Sequence, residues 1–441
     1  MGIVSRVLTR TSRIGIANRG EPALRFIRAV REYNARTGAQ LETAAFYIDA
    51  EKDAPFVQEA DTVFSFTELR AGREGSSGNP YMDKDLLLYA LAEADCSAVW
   101  VGWGFLSEDA AFVRGIEESG IIFIGPSSAS MELLGDKVQA KRTAEDAGVP
   151  IVPWSRKVVS SVEEAREAAE HIGYPCIIKA ANAGGGRGIR FVRTPSELEN
   201  QYRSAYEETV RVTGGGDVFV ERLVEKGRHL EVQVLADYHG HVSTFGVRDC
   251  SVQRRNQKII EETPPPHMNE KEIAEIEEAA KRLIEAAEYH SAGTVEFLYD
   301  IRRKEFYFME VNTRLQVEHP ITEELYCVDL VEGQIRIAFG ESLEGERAAP
   351  RGAVVEARLN AEDPDQGFTP SPGRVARLRS PAGPGIRFDS GIYEGTEIPA
   401  EFDSMVAKII ASGKNREEAF ARLRRALTEL RIRIEGGTTN R

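Results

Sequence analysis

Four stretches of the sequence hold residues whose types and spacing could do chemistry. The first runs from Cys176 to Val192, with Lys179 ending an apolar run and Gly184, Gly185, Gly186 and Gly188 following it. A loop without Cβ atoms lets backbone N–H groups close on phosphate oxygens. The lysine precedes the glycines and a second strand-like run follows them, which excludes a Walker A loop, where Lys-Ser/Thr follows the glycines and opens a helix. Such a hairpin suits a lid that folds over a nucleotide; a plain surface hairpin is the alternative. Gly214-Gly215-Gly216 lacks a flanking lysine and reads as a turn. The second stretch is a pair of strand-like runs, 294–298 and 305–310, joined by a polar turn. A hairpin turning about Arg303 sets Glu296 opposite Glu310, with Asn312 pointing the same way two residues on. Opposed carboxylates repel. A divalent cation reverses that penalty, and two carboxylates with an amide oxygen form a hard oxygen site for Mg²⁺ or Mn²⁺. A solvated acidic edge is the alternative.

The third stretch, Glu310 to Pro320, packs Asn312, Arg314, Gln316, Glu318 and His319 with little apolar spacing, so it makes a poor core strand and a good active-site segment. The fourth, Arg248 to Lys258, is a basic run without interleaved aromatics in a chain of net charge −14. That balance disfavours nucleic acid, which needs a basic face, and leaves a local anion site or a solvated face. His239 and His241 flank Gly240 in a turn and read as surface residues.

The elements that must position these residues follow from hydrophobic spacing. Short apolar strands at 14–17, 44–48, 98–101 and 121–124 alternate with helical stretches, the pattern of a parallel, doubly wound α/β sheet. Val149-Pro150-Ile151-Val152-Pro153 is a two-proline connector suited to a hinge. A helix over 162–171 ends at Gly173 and a strand follows over 175–179. The helix predicted over 271–289 carries one apolar stripe, including Ile276, Ala280, Leu283 and Ile284. From Gly352 onward, short strands and turns suggest a small mixed lobe closed by a helix over 416–430. The division expected is 1–133, 134–345 with a lid over about 151–223, and 346–441. The chain is 441 residues long, 42% hydrophobic and 29% charged, with no apolar run of membrane-spanning length. Its first residues lack the features of a secretory signal, and its four cysteines form no CxxC pair. Free thiols suit a reducing compartment, so a cytoplasmic protein is expected.

Taken together and in order, Ala17–Glu21, Gly104–Glu108, Gly135-Asp136-Lys137, the glycine loop, Arg248–Lys258, Glu310–Pro320 and Arg358–Asp363 resemble the biotin carboxylase family of the ATP-grasp superfamily over essentially the whole chain. The resemblance implies an N-terminal doubly wound domain, an ATP-grasp domain with a mobile lid, and a small mixed C-terminal domain. It implies an ATP-dependent ligase that carboxylates biotin with bicarbonate through carboxyphosphate, the first half-reaction of a biotin-dependent carboxylase such as an acyl-CoA carboxylase; the alternatives are another ATP-grasp ligase and a non-catalytic scaffold module of a carboxylase. By that resemblance Lys137 and Lys179 hold ATP phosphates, with Gly185 and Gly186 closing over them. Glu221, Arg222, Leu223 and Val224 form the edge that reads adenine, with His229 and Gln253 nearby. Glu296, Glu310 and Asn312 are the metal positions. Lys258, Arg314, Gln316, Val317 and Arg358 match the bicarbonate pocket, Glu318 the general base, and Arg358 also the cation that steadies the deprotonated ureido group of biotin.

Arg25 falls where the family uses an arginine in a homodimer contact, so a homo-oligomer is expected. Other partners implied are a biotin carboxyl carrier domain and a carboxyltransferase domain, with no nucleic acid and no membrane. No methionine here neighbours a lysine, so biotin is expected on a carrier outside this chain. The ending Gly436 to Arg441, where relatives continue, suggests the N-terminal portion of a multidomain carboxylase, with a stand-alone subunit, trimmed at the end and served by a carrier on a separate chain, as the alternative. The departures are Asn256 in place of a frequent histidine, Asn182 and Ala183 in place of lid glycines, and Trp100-Val101-Gly102-Trp103-Gly104, which is similar to the eukaryotic acetyl-CoA carboxylase version.

Overall fold

The structure, a computed structural model, describes residues 8–71, 78–181, 188–345 and 347–441. The first apolar runs form five parallel strands: β1 (Arg13–Ile16), β2 (Glu42–Tyr47), β3 (Thr62–Ser65), β4 (Ala98–Trp100) and β5 (Ile122–Phe123). Their order is β3-β2-β1-β4-β5. The order reverses between β1 and β4, and a doubly wound sheet opens a crevice at the carboxyl ends of the strands there. The helix Gly20–Thr37 starts just beyond β1, so Asn18 to Glu21 and the 101–105 turn after β4 both sit at that point. Gly15 is needed inside β1, because a Cβ there would lie 2.2 Å from Leu91 Cδ2.

The expected lid is a small antiparallel sheet in which β6 (Cys176–Ala180) runs between β7 (Arg190–Val192) and β8 (Val218–Arg222). The helices Val162–Ile172 and Leu198–Thr213 pack on it around a core of its own, including Val159, Ala169, Ile178, Leu198 and Val220. Ser161 caps the first of these helices and Gly173, at φ +88°, ends it, as the sequence spacing requires.

The largest sheet contains β9 (Gly227–Ala236), β10 (Val242–Arg254), β11 (Gln257–Thr263), β12 (Ser291–Asp300), β13 (Glu305–Asn312) and β14 (Ala353–Asn360). After the ribbon β15 (Glu362–Asp363) and β16 (Thr369–Pro370) come β17 (Gly373–Arg379), β18 (Ile386–Ser390), β19 (Glu397–Ile398), β20 (Met405–Gly413) and β21 (Arg431–Glu435). The eight-stranded order is β13-β12-β9-β10-β11-β14-β20-β18, while β19-β17-β21 form a separate small sheet. The large sheet therefore runs straight through the division expected near residue 345: β14 bonds to β11 on one edge and to β20 on the other.

The helix Glu270–Ala286, opened by an Asn269/Glu272 capping box, covers one face of this sheet with Ile276, Ala280, Leu283 and Ile284. It stops three residues before the expected Tyr289, with Glu288 at positive φ. The helices His319–Tyr326 and Leu330–Ala338 share a core with the parallel sheet, in which Phe26 stacks on Trp100 at 4.5 Å. The mixed terminal region packs close as well: a Cβ on Gly391 would fall 2.3 Å from the backbone nitrogen of Glu21. Among the described residues, no helix is long and apolar enough to cross a membrane.

Candidate active site

The carboxylate pair shows how the fold builds the site. Asp300 pairs with Glu305 and Phe297 with Phe308, a register that continued unbroken would set Met309 opposite Glu296. A bulge between these pairs shifts the partner by one, so Glu310 takes that place. Phe297, Phe308 and Val311 enter the core. Glu296 and Asn312 occupy the opposite face, where Asn312 Nδ2 donates to Glu296 Oε1 at 2.8 Å. The expected opposition thus holds because a bulge compensates for a turn centred slightly off Arg303.

Both carboxylates open onto a cavity of about 990 Å³ at the crevice of the parallel sheet, between it, the large sheet and the terminal region. Glu310 lies 3.3 Å from Lys137. Glu296 accepts from Gln316 Nε2 at 3.1 Å and Lys258 Nζ at 3.2 Å, and lies 2.9 Å from His229 Nε2. Burial opposes its ionisation, but Lys258 and His229 outweigh it and hold the carboxyl well below its ordinary range. His229 in turn is pulled down by burial and up more strongly by Glu296, to about 8.

Lys258 is the hub. Its Nζ donates to Glu318 at 2.6 Å, to Glu231 at 3.1 Å and to Glu296 at 3.2 Å. Glu231, with the His229 and Cys250 side chains near it, makes groupings that could take a metal ion, but the Lys258 ammonium already stands among those carboxylates. Glu318 also accepts from Arg358 Nη2 at 2.9 Å. Burial raises its carboxyl, and Lys258 and Arg358 together drive it well below the ordinary range. Arg314 lies 2.9 Å from Glu108 and donates to Asn312 Oδ1 at 3.3 Å. Gln253 Nε2 reaches His229 Nδ1 at 3.1 Å.

Thirteen of the expected site residues therefore line one wall system: Lys137, Lys179, His229, Gln253, Lys258, Glu296, Glu310, Asn312, Arg314, Gln316, Val317, Glu318 and Arg358. Glu221 is buried beneath the cavity, shared between Lys179 and Lys141, the latter at 2.9 Å. Arg222, Leu223 and Val224 are not among the lining residues, and the Arg222 and Leu223 amides donate to the carbonyls of Pro153 and Pro175. Gly185 and Gly186 lie outside the described residues.

The basic run also divides. Arg248 is fully buried, its guanidinium donating to Gln233, Thr322, Thr294 and Gln316. Arg254 pairs with Glu362 and Arg255 reaches the Gly367 carbonyl. Lys258 is the one cation of that run on the cavity wall. Arg25 is engaged within the chain, 2.9 Å from Glu323 and 2.8 Å from Asp329. Sequence reading missed Glu231, Lys141, Glu108 and Glu261; the signal for Glu231 and Glu261 was an acid set inside an apolar strand, in His229-Leu230-Glu231-Val232 and Ile259-Ile260-Glu261-Glu262.

The donor set fits a hard divalent cation: two carboxylates on one face, Glu296 ionised, and an amide oxygen beside them. The two lysines at the lid end fit an anionic phosphate chain.

Comparison with known proteins agrees along the whole chain. Residues 10–131 match the family model described as "Biotin carboxylase, N-terminal domain", residues 136–346 "Carbamoyl-phosphate synthase L chain, ATP binding domain", and residues 356–441 "Biotin carboxylase C-terminal domain". Biotin carboxylase 1 of Bacillus subtilis is 43% identical over 95% of this chain and 90% of its own length. The biotin-dependent acyl-coenzyme A carboxylase alpha3 subunit of Mycobacterium leprae is 43% identical over 98% of this chain and 70% of its own. A Campylobacter jejuni biotin carboxylase solved as a beta-gamma-ATP complex superposes with a TM-score of 0.90 at 39% identity, covering 97% of this chain and 93% of that one. The biotin carboxylase domain dimer of Hydrogenobacter thermophilus 2-oxoglutarate carboxylase, solved with MgADP, ADP and bicarbonate, gives 0.89 at 40% identity over 98% and 92%. Lysines at one end of the cavity, opposed carboxylates in the middle and a Lys258–Glu318–Arg358 chain at the other end thus stand on the scaffold of these relatives, and the chain belongs to the biotin carboxylase family.

Proposed function

We propose that this chain uses ATP and bicarbonate to carboxylate biotin presented on a separate carrier domain, the first half-reaction of a biotin-dependent carboxylase. The observation that carries the reading is the cavity whose wall holds both Lys137 and Lys179 and the Lys258–Glu318–Arg358 chain. Lys137 and Lys179 hold the phosphates, with His229 and Gln253 on the nucleotide side. Lys258, Arg314, Gln316 and the Val317 backbone hold bicarbonate against the terminal phosphate. Glu296, Glu310 and Asn312 would hold Mg²⁺, which neutralises charge on the transferring phosphoryl group.

Bicarbonate oxygen attacks the terminal phosphorus, ADP leaves, and Glu318 accepts bicarbonate's proton. The carboxyphosphate so formed breaks into carbon dioxide and phosphate; the released phosphate takes the ureido N–H proton of biotin, and the nitrogen so freed attacks the carbon dioxide to form the new N–C bond. Arg358 faces the ureido oxygen and spreads its charge, a task for a cation that stays protonated. Carrier and carboxyltransferase partners, self-association and a cytosolic setting belong to the same reading. The four cysteines, free and with Cys327 exposed, suit a reducing compartment. The test is direct: purified chain with MgATP, bicarbonate and free biotin should form ADP and carboxybiotin together. ADP release that ignores both bicarbonate and biotin would sink the proposal.

A further inference from the structure

Behind Arg358 lies a layer of buried charge that no part of the scheme above uses. Glu261 on β11 is fully buried and absent from the cavity wall, whereas Arg358 lines it. Glu261 Oε1 accepts from Arg358 Nε at 2.6 Å and also lies 2.6 Å from Nη2. The same guanidinium reaches forward to Glu318 Oε2 at 2.9 Å. One cation is therefore held between two carboxylates, one in front and one behind. Directly across the β11–β14 ladder from Glu261 stands Glu356, two residues before Arg358 and on the same face. It is also fully buried, and neither of its carboxyl oxygens has a hydrogen-bond partner among the described residues.

Two opposed, buried carboxylates cannot both be charged without heavy cost. Only one of this pair has a cation bound to it. Burial pushes both carboxyls upward, and Glu356, beside Glu261 and without a donor, goes well above the ordinary range although Lys408 and Arg358 pull against it. Glu261 is raised to about 7 against the pull of Arg358, so the first proton goes to Glu356, and the guanidinium 2.6 Å away favours the charge on Glu261.

We infer that Glu261 is a positioning residue for the carboxylation step: its carboxylate anchors Arg358 from behind, with Glu356 present as the neutral acid that makes this possible. Without the rear anchor, the guanidinium is held from one side only, at Glu318, and its aim at the ligand is no longer fixed. With it, the guanidinium stays spread between the two and remains aimed at the ligand. The inference rests on the proposed role of Arg358 toward biotin.

The experiment compares Glu261→Gln, Glu261→Asp and Glu356→Gln with the parent chain, reading two rates: bicarbonate-dependent ATP cleavage without biotin, and carboxylation of free biotin. Glu261→Gln should lose about ten- to a hundredfold in carboxylation, with a raised KM for biotin, as misplacement of a supporting contact does, while ATP cleavage and the KM for ATP stay near the parent's. Glu356→Gln, which copies a protonated glutamate in shape and charge, should stay within about twofold in both, as an isosteric swap does. Should Glu261→Gln lose ATP cleavage too, Glu261→Asp decides. Recovered ATP cleavage with impaired carboxylation supports the inference, and recovery or loss of both rates together overturns it. Parental carboxylation in Glu261→Gln, or lost carboxylation in Glu356→Gln, also overturns it. Failure of the functional reading is separate and visible beforehand, as absence of biotin carboxylation by the parent chain.

Discussion

Glu318 sits between the Lys258 ammonium and the Arg358 guanidinium, at 2.6 and 2.9 Å, and a carboxylate so placed is a weak base at rest. It becomes effective when a ligand draws one cation away or when proton transfer is concerted with phosphoryl attack. Removing the charge should therefore cost the chemistry far more than it costs nucleotide binding. Glu318→Gln is expected to lower biotin carboxylation about a hundredfold or more, the usual contribution of a positioned base, while the affinity for ATP, measured by calorimetry, stays within a few-fold. Equal loss of both would assign Glu318 a structural role. At this scale the sequence was most legible where polar groups crowd, as from Glu310 to Glu318, since such crowding has no place in a core. It was least legible at Glu231 and Glu261, acids set in apolar strands, because the cations they meet come from other strands. Arg248 misled in the opposite way: it lies in a basic run, yet its side chain is buried, bonded to Gln233 and Thr294 and paired with the buried Glu231 at 3.6 Å.

At the scale of elements, the β12–β13 hairpin brings two carboxylates together only through the bulge beside Met309. Alternation along each strand gave the faces, but the extra residue that sets the register has no signature in alternation, so correct opposition did not follow from spacing alone. Glu310→Gln should lower ATP turnover about a hundredfold at limiting Mg²⁺, the scale on which one electrostatic contact to the reacting phosphates acts, with partial rescue by higher Mg²⁺ or by Mn²⁺. Near-normal turnover at limiting Mg²⁺ would remove the metal assignment. In the small β7-β6-β8 sheet the analogous device is β8, whose Glu221 ties β6 to the Lys137–Asp146 helix through Lys179 and Lys141. Burial pushes the Glu221 carboxyl up, and the two lysines outweigh it and hold it at about 2. A depressed value means stabilisation that is present above about pH 4.5 and lost as pH falls toward 2. The difference corresponds to about 3 kcal/mol. The stability gap between the parent chain and Glu221→Gln, from urea unfolding, should be wide at pH 6 and close progressively below pH 4.5. A gap independent of pH would show that packing, not charge, is what the substitution removes.

For the molecule as a whole, the strands and helices of each region were legible from hydrophobic spacing, while the way regions join was not. β14, β20 and β18 read as parts of a separate lobe, yet they extend the sheet begun by β9 to β13, because ladder pairing links residues far apart in sequence and leaves no local mark. The lid is the reverse case. Its three strands make no ladder with the large sheet, and its apolar residues close on one another around Ala165, Ile178 and Val220. Opening free energies follow contiguous cooperative units, so the molecule should open along these lines and not along the divisions of its sequence. In hydrogen exchange of the free protein, the amides of β14 and β20 should be protected together with those of β9 and β12, as one body. Those of β6 and β8 should exchange faster and as a separate group. Saturating ATP should slow the lid group selectively, since Lys179 on β6 lines the cavity and a bound phosphate chain would tie that strand to the Lys137 side. Protection that is uniform across lid and large sheet, or a lid group indifferent to ATP, would mean that the small sheet is not an independent body. In that event its lysine would meet the nucleotide on a rigid wall, and closure of the lid would have no part in the reaction.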